Sequence, residues 1–223
     1  MEVLLREVSN RPTISIIIPT KGRETLRDTI SSLREAGLGI NDEVIVVGDG
    51  ETPLARSVMS GIQDARFHYF EYGPTGNYGN SQRDFAIFRA SKDFLVFLDD
   101  DDAISKDGFK ELRRCLAQGP GQPHCFRWQA GPNSTLGPPV PDHWLGSWTV
   151  GGAMFVPPNK PGKLGVWCGP YGNAGGQDAF FILNTIQHYL NCGVMGHDCA
   201  FYHIRPKYGS LEQLYDHGGA DAQ

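Results

Sequence analysis

Nowhere in these 223 residues do about 18 apolar residues run together, so no segment reads as a membrane-spanning helix. The opening stretch, Met1 to Asn10, has no long apolar core and carries Glu2, Arg6 and Glu7. The expectation is a soluble cytoplasmic protein without a signal peptide. Cysteine is sparse: Cys115, Cys125, Cys168, Cys192 and Cys199 form no CxxC pair, and an odd count argues against a complete disulfide framework. Positive charge is also short. A net charge of −5 provides no global basic field, which argues against nucleic acid or anionic lipid as partner. Several motifs are missing as well. Pro19-Thr20-Lys21-Gly22-Arg23 stands where a dinucleotide-binding oxidoreductase would carry GxGxxG, and the P-loop GxxxxGK[ST] is absent. Ser15, Ser31 and Ser147 have no nucleophile-elbow context. There is no glycine-rich GxGxR loop of the nucleotidyltransferase kind, no internal repeat and no low-complexity tract.

What is present is an ordinary globular composition, 40% hydrophobic and 20% charged, of a size that buries one substantial core. The first half alternates strand and helix. Thr13 to Ile18 is β-branched and nearly continuous, the pattern of a parallel strand covered on both faces. Leu26, Ile30 and Leu33 mark a helix ending near Gly37, and Glu43 to Gly48 is a second buried strand. Thr52-Pro53 opens a helix with Leu54, Val58 and Ile62 on one face. Phe67 to Phe70 is a third strand, followed by the glycine-rich loop Gly73 to Gly79 and a helix over Ser81 to Ala90. Phe94 to Leu98 is the fourth strand, and Phe109, Leu112 and Leu116 give another helix before Gly119-Pro120. This order predicts an α/β fold with a mainly parallel, twisted sheet flanked by helices on both faces.

The second half changes character. Gly119 to Gly176 is rich in Gly, Pro and Trp, with Trp148 to Val156 as the expected strand. Gln177 to Leu190 resumes helical spacing through Phe180, Leu183 and Leu190, and Cys199 to Ile204 reads as a last strand.

The most informative run is Asp99-Asp100-Asp101-Asp102, directly after the apolar Phe94 to Leu98. Adjacent carboxylates about 6 Å apart repel by roughly 0.5 to 1 kcal/mol per pair even in water. A solvated acidic turn is the bland reading. The position at the end of a buried strand, where open α/β sheets bind ligands, favours a hard divalent cation holding a diphosphate. His197, Cys199 and His203 alternate, with His188 and Cys192 upstream, but no recognised zinc spacing joins them, so buried structural residues are the expectation. Trp144, Trp148, Trp167 and Tyr171 read equally as a sugar-stacking surface or as packing.

Taken in order, these pieces resemble a family 2 inverting glycosyltransferase of the GT-A fold, over most of Thr13 to Ser210. Ile16-Ile17-Ile18-Pro19-Thr20 resembles the first strand and turn, and Val46-Val47-Gly48-Asp49-Gly50 the second strand, whose aspartate receives the nucleotide base. Asn77-Tyr78-Gly79 with Arg83 resembles the loop and helix beside the donor. Leu98 to Asp102 resembles the DxD signature, with Asp99 toward the nucleotide-sugar and Asp101 on the metal. Gly151 to Phe155 resembles the acceptor-side glycine strand. Gly175-Gly176-Gln177-Asp178 occupies the position of a Glu-Asp pair, with Gln177 a departure and Asp178 retained as base. Tyr202-His203-Ile204-Arg205 resembles the closing segment, in which a histidine contacts the metal and basic residues face the diphosphate.

The resemblance implies one GT-A domain over 11–210, with a nucleotide-binding half at 11–102, an acceptor-binding and catalytic half at 103–210 and a tail at 211–223. It implies donor contacts from Pro19, Thr20, Arg23, Asp49, Asn77, Arg83, Asp99, Asp100 and Arg205, Mn²⁺ or Mg²⁺ on Asp101 and His203, and Asp178 as general base. The expected reaction moves a sugar from a nucleoside diphosphate, UDP first, to an unidentified hydroxyl acceptor by one in-line displacement. The alternative is a nucleotide-sugar binding protein without catalysis. For Asp49 the plainer role is a turn residue before Gly50; for Asp178 it is a helix N-cap.

Overall fold

A computed structural model describes residues 11–129, 135–136, 151–169 and 176–204. Nine strands carry the fold among these residues: β1 (Ile14–Thr20), β2 (Glu43–Asp49), β3 (Phe67–Tyr72), β4 (Phe94–Phe97), β5 (Asp102–Ile104), β6 (His124–Gln129), β7 (Thr135–Leu136), β8 (Phe155–Val156) and β9 (Met195–Ile204). The helices are α1 (Thr25–Glu35), α2 (Pro53–Ser60), α3 (Asn80–Ile87), α4 (Gly108–Leu116) and α5 (Gln177–Ile186). The first four strands form a wholly parallel sheet in the order β3-β2-β1-β4. The order reverses beside β1, so a crevice opens at the carboxyl ends of β1 and β4. A second, mixed sheet runs β5-β9-β6-β7, with β8 paired to β6.

The β1, β2 and β4 runs have no polar alternation because both faces are covered. Every residue of β1 and β4 is buried, and Leu26, Ile30 and Leu33 of α1 are buried against the same core. Each such side chain contributes roughly 1.5 to 3 kcal/mol of hydrophobic stabilisation. Buried polar groups pin the amino ends of the strands. Ser15 Oγ donates to Glu43 at 2.7 Å, and Asp42 accepts the Ile14 and Gly39 N–H groups at 3.0 and 2.7 Å and pairs with Arg113.

Contacts from β4 and from α1 tie the two sheets together. Leu95 N–H donates to Pro157 O at 3.0 Å, and α1 holds β5 through Thr29 Oγ1 to Asp102 O (2.7 Å) and Ile104 N–H to Ser32 Oγ (3.1 Å).

The expected strand at Trp148 to Val156 is corrected. Gly152–Met154 is a 3₁₀ turn and only Phe155–Val156 is strand; 148–150 lie outside the described residues. The Trp167 ring lies over Gly152 so closely that a Cβ there would sit 2.2 Å from it, so this chain segment turns where a strand with side chains would not fit. The helix read over Gln177 to Leu190 stops at Ile186, and its buried face is Phe181, Ile182, Thr185 and Ile186 instead of the Leu183 and Leu190 stripe; those two leucines are exposed. Strands β5, β6 and β7 were not expected, and β9 begins four residues before Cys199. Among the described residues no helix is long and apolar enough to cross a membrane, and all five cysteines are free thiols.

Candidate functional site

At the carboxyl ends of β1, β2 and β4 a cleft of about 180 Å³ is lined by Pro19, Thr20, Lys21, Arg23, Asp49, Tyr78, Gly79, Asp99 and Asp100. Six of these were expected from sequence; Lys21, Tyr78 and Gly79 were not named as contacts. Tyr78 has φ +59 and is 70% exposed, with Lys21 Nζ 5.7 Å from its ring centroid. An exposed aromatic within a glycine-rich loop was the available signal. Gly79 (φ +80) caps α3 where a Cβ would lie 2.6 Å from Pro19, so the loop closes onto β1 only with glycine there.

Asp49 anchors that loop. Its Oδ1 accepts Thr75 N–H at 2.7 Å and Gln82 Nε2 at 2.9 Å, and its Oδ2 accepts Gly76 N–H at 3.1 Å. Partial burial pushes its pKa up, but the Thr75, Gly76 and Gln82 donors outweigh that and hold it below the usual carboxylate range. Asp49 is therefore more than a turn residue before Gly50.

The acidic run does not stand as four bare charges. Asp100 is buried and accepts Thr20 Oγ1 at 2.7 Å; Asp99, half-exposed, pairs with Arg83; Asp101 pairs with Arg23. Asp102 is buried and starts β5. Burial pushes Asp101 above the usual carboxylate range, Arg23 opposes this, and Asp100 and Asp99 add to it. A carboxylate so placed favours an added cation. Among the described residues, the run does not gather three ligand atoms at one point. One or two carboxylates completed by phosphate oxygens is the usual Mg²⁺ arrangement, and the residues present fit it.

Asn77 and Arg83 sit behind the cleft. Asn77 Oδ1 accepts Ser81 N–H at 3.2 Å, holding the start of α3. Arg83 is 8% exposed, donates to Tyr78 O at 2.9 Å and lies 4.7 Å over the Trp167 ring. Trp167 is fully buried, stacked on Phe181 at 4.6 Å and edge-on to Phe97 at 4.9 Å. It is core, which selects packing from the two readings left open for it. Asp84, missed from sequence, accepts the Trp167 and Cys168 N–H groups at 2.8 and 2.9 Å and binds that segment to α3.

Asp178 lies in the first turn of α5. It does not cap its own helix; Oδ2 accepts Gly152 N–H at 3.0 Å, so the two late motifs meet. Tyr202, wholly buried, has its pKa driven up by burial and then by the negative charges of Asp102 and Asp99. His203 pairs with Ala103 in the β9–β5 ladder, next to the acidic run. Arg205, Trp144, Trp148 and Tyr171 lie outside the described residues.

Comparison with known proteins bears on the family and the fold. The family model described as "Glycosyl transferase family 2" matches residues 15–169, which spans β1 to the Trp167 segment and stops short of Asp178. A Campylobacter jejuni protein, "GalNAc(5)-diNAcBac-PP-undecaprenol beta-1,3-glucosyltransferase", is 31% identical over 116 residues, covering 48% of this chain and 36% of that protein. An "Uncharacterized glycosyltransferase" of Haemophilus influenzae is 31% identical over 113 residues, covering 49% of this chain and 44% of its own length. The chain thus spans less than half the length of these curated relatives. Among solved structures, S. aureus TarS 1-349 superposes with a TM-score of 0.64 at 18% identity, covering 86% of this chain and 60% of that one. The same protein in complex with UDP gives a TM-score of 0.63 at 19% identity, covering 92% and 63%. At these identities the likeness shows the fold: an α/β domain of the GT-A type.

Proposed function

This chain belongs to glycosyl transferase family 2, and from that premise we propose that it moves a sugar from a nucleoside diphosphate donor, UDP first, to a hydroxyl acceptor by a metal-dependent, inverting in-line displacement. The observation that carries the reading is the convergence of Asp49 and the Asp99–Asp100 turn on one cleft at the reversal point of a parallel sheet. A nucleotide binds between β1 and β2, its base toward Asp49 and its diphosphate toward the acidic run. The half at 11–102 then binds the donor and the half at 103–210 the acceptor.

Departure of the diphosphate builds positive charge at the anomeric carbon and negative charge on the leaving oxygens. A Mn²⁺ or Mg²⁺ ion held by Asp101, with His203 as a second ligand, would supply Lewis-acid stabilisation of that negative charge. Arg23 and Lys21 at the cleft wall add fixed positive charge beside the diphosphate. The acceptor hydroxyl is a weak nucleophile until its proton is taken. Asp178 takes it as the new C–O bond forms and the bond to the diphosphate breaks on the opposite face. With Oδ2 held by Gly152 N–H, the carboxylate is oriented before the acceptor arrives. Support from TarS is limited to what that protein binds, UDP and UDP-GlcNAc.

A thermal-shift panel of UDP, GDP, CDP and TDP, each with and without Mn²⁺, tests the donor site. The expected result is stabilisation by one nucleotide that increases with Mn²⁺. Stabilisation by none sinks the donor assignment. Nucleotide binding without release of diphosphate from any sugar nucleotide, across a range of hydroxyl acceptors, would favour the binding-protein alternative.

A further inference from the structure

Where α4 packs on β9, three side chains with metal-binding chemistry meet, with His197 on the same strand. Glu111 and Cys115, four apart on α4, share a helix face, and His197 and Cys199, two apart on β9, share a strand face. The Cys115 and Cys199 sulfurs are 3.6 Å apart, Glu111 Oε1 is 3.9 Å from Cys115 Sγ, and the ligand atoms of these three residues all lie within 4.8 Å of one another. Two thiolates on one tetrahedral zinc, with Zn–S near 2.3 Å, stand about 3.8 Å apart. The observed separation is close to that value.

His197 is the second, independent observation. It is 8% exposed and shares the strand face of Cys199. Its tautomer is fixed from behind. His124 Nε2 lies 2.9 Å from the Gly119 carbonyl, which can only accept, so that nitrogen carries the proton and His124 Nδ1 keeps a lone pair. His197 Nε2, 2.8 Å from that lone pair, must donate to it. In the neutral ring this leaves His197 Nδ1 unprotonated, the form a metal ligand needs, and the His124 contact is the outer-shell partner that metal-bound histidines usually have. Charge agrees as well. Arg114 bonds both Glu111 and Cys115 Sγ, so two thiolates and a carboxylate against one guanidinium leave two negative charges, which one divalent cation cancels.

We infer that Glu111, Cys115, His197 and Cys199 bind one zinc ion that fastens α4 to β9. Binding releases the two thiol protons as two Zn–S bonds form, with no change in oxidation state. Oxygen-preferring Mg²⁺ and Mn²⁺ do not compete for the sulfur pair. The role is structural: β9 is the strand laid against β5, which emerges directly from the acidic run.

The test uses the full chain, untagged, reduced and stripped with chelator. One equivalent of Zn²⁺ should be retained through dialysis and should raise Tm by several degrees. Co²⁺ in its place should give the near-ultraviolet sulfur-to-cobalt charge-transfer band, which an all-oxygen site at the acidic run cannot give. Cys199→Ser should lose that band and the zinc-dependent rise in Tm, and Glu111→Gln should weaken Zn²⁺ binding about 10-fold or more while keeping the sulfur band. Retention of less than about a tenth of an equivalent by the wild type overturns the inference. So does a Co²⁺ complex without the sulfur band, or a Cys115–Cys199 disulfide formed in preference to metal uptake.

Discussion

The Asp178 carboxylate and the Gly152 amide are hydrogen-bonded at 3.0 Å, across 26 residues of chain. The bond joins the first turn of α5 to the glycine pair under Trp167, and the α5 N-cap is left to Gly176 in the left-handed region at φ +101. Asp178→Asn keeps an oxygen for Gly152 and removes the proton acceptor. Its kcat should fall by about 10²- to 10⁴-fold, with donor and metal affinity within a few-fold of wild type. Paired rate and binding measurements decide. Transfer near the wild-type rate would make another carboxylate the base, and collapse of donor binding would make Asp178 structural.

Asp49→Ala should weaken binding of the preferred nucleotide by about 1.5 to 3 kcal/mol, through loss of a charge-assisted hydrogen bond to the base. Because Asp49 also accepts from Thr75 and Gly76, faster hydrogen exchange at those two amides should accompany the change. Loop loosening with an unchanged Kd would confine Asp49 to anchoring the loop.

Asp101→Ala should remove the Mn²⁺-dependent part of UDP binding and leave the metal-independent part near wild type. Calorimetry with UDP, with and without Mn²⁺, separates the two. Full metal dependence in the variant would move the ligand role to a neighbouring aspartate.

Arg83→Lys should cost about 1 to 3 kcal/mol of stability, because an ammonium cannot bond Tyr78 O and Asp99 and lie flat on Trp167 at once. Urea unfolding measures it. A change below about 0.5 kcal/mol would show that the Arg83 contacts contribute little.

The parallel sheet was legible because β1, β2 and β4 are covered on both faces, which demands unbroken β-branched and aromatic runs. β6 was not. His124 and Arg127 interrupt its apolar pattern, and His124 is buried only because Gly119 O and His197 take its two ring nitrogens. β5 is three residues long and depends on hydroxyls of α1 and on β9, a dependence no local pattern records. Six residues of the cleft were readable since they sit at or just after strand ends in chain order. The thiol cluster draws on α4 and β9, 84 residues apart at Cys115 and Cys199, so spacing rules built for short motifs passed over it. Trp167 was ambiguous because an indole serves a core and a sugar face equally well, and only its neighbours distinguish the two.

Arg23 on Asp101 has a consequence for how an ion enters. The turn already has a resident countercharge, so loading of a divalent ion on Asp101 would be an exchange, in which a guanidinium leaves the carboxylate. Apparent metal affinity is then lowered by whatever that contact is worth, and Arg23→Ala should bind Mn²⁺ more tightly when no nucleotide is present. With a nucleotide the sign should reverse, since the displaced arm, half-exposed at the cleft wall, is free to follow the diphosphate. Ion and nucleotide would thus arrive as a coupled pair, each making room for the other.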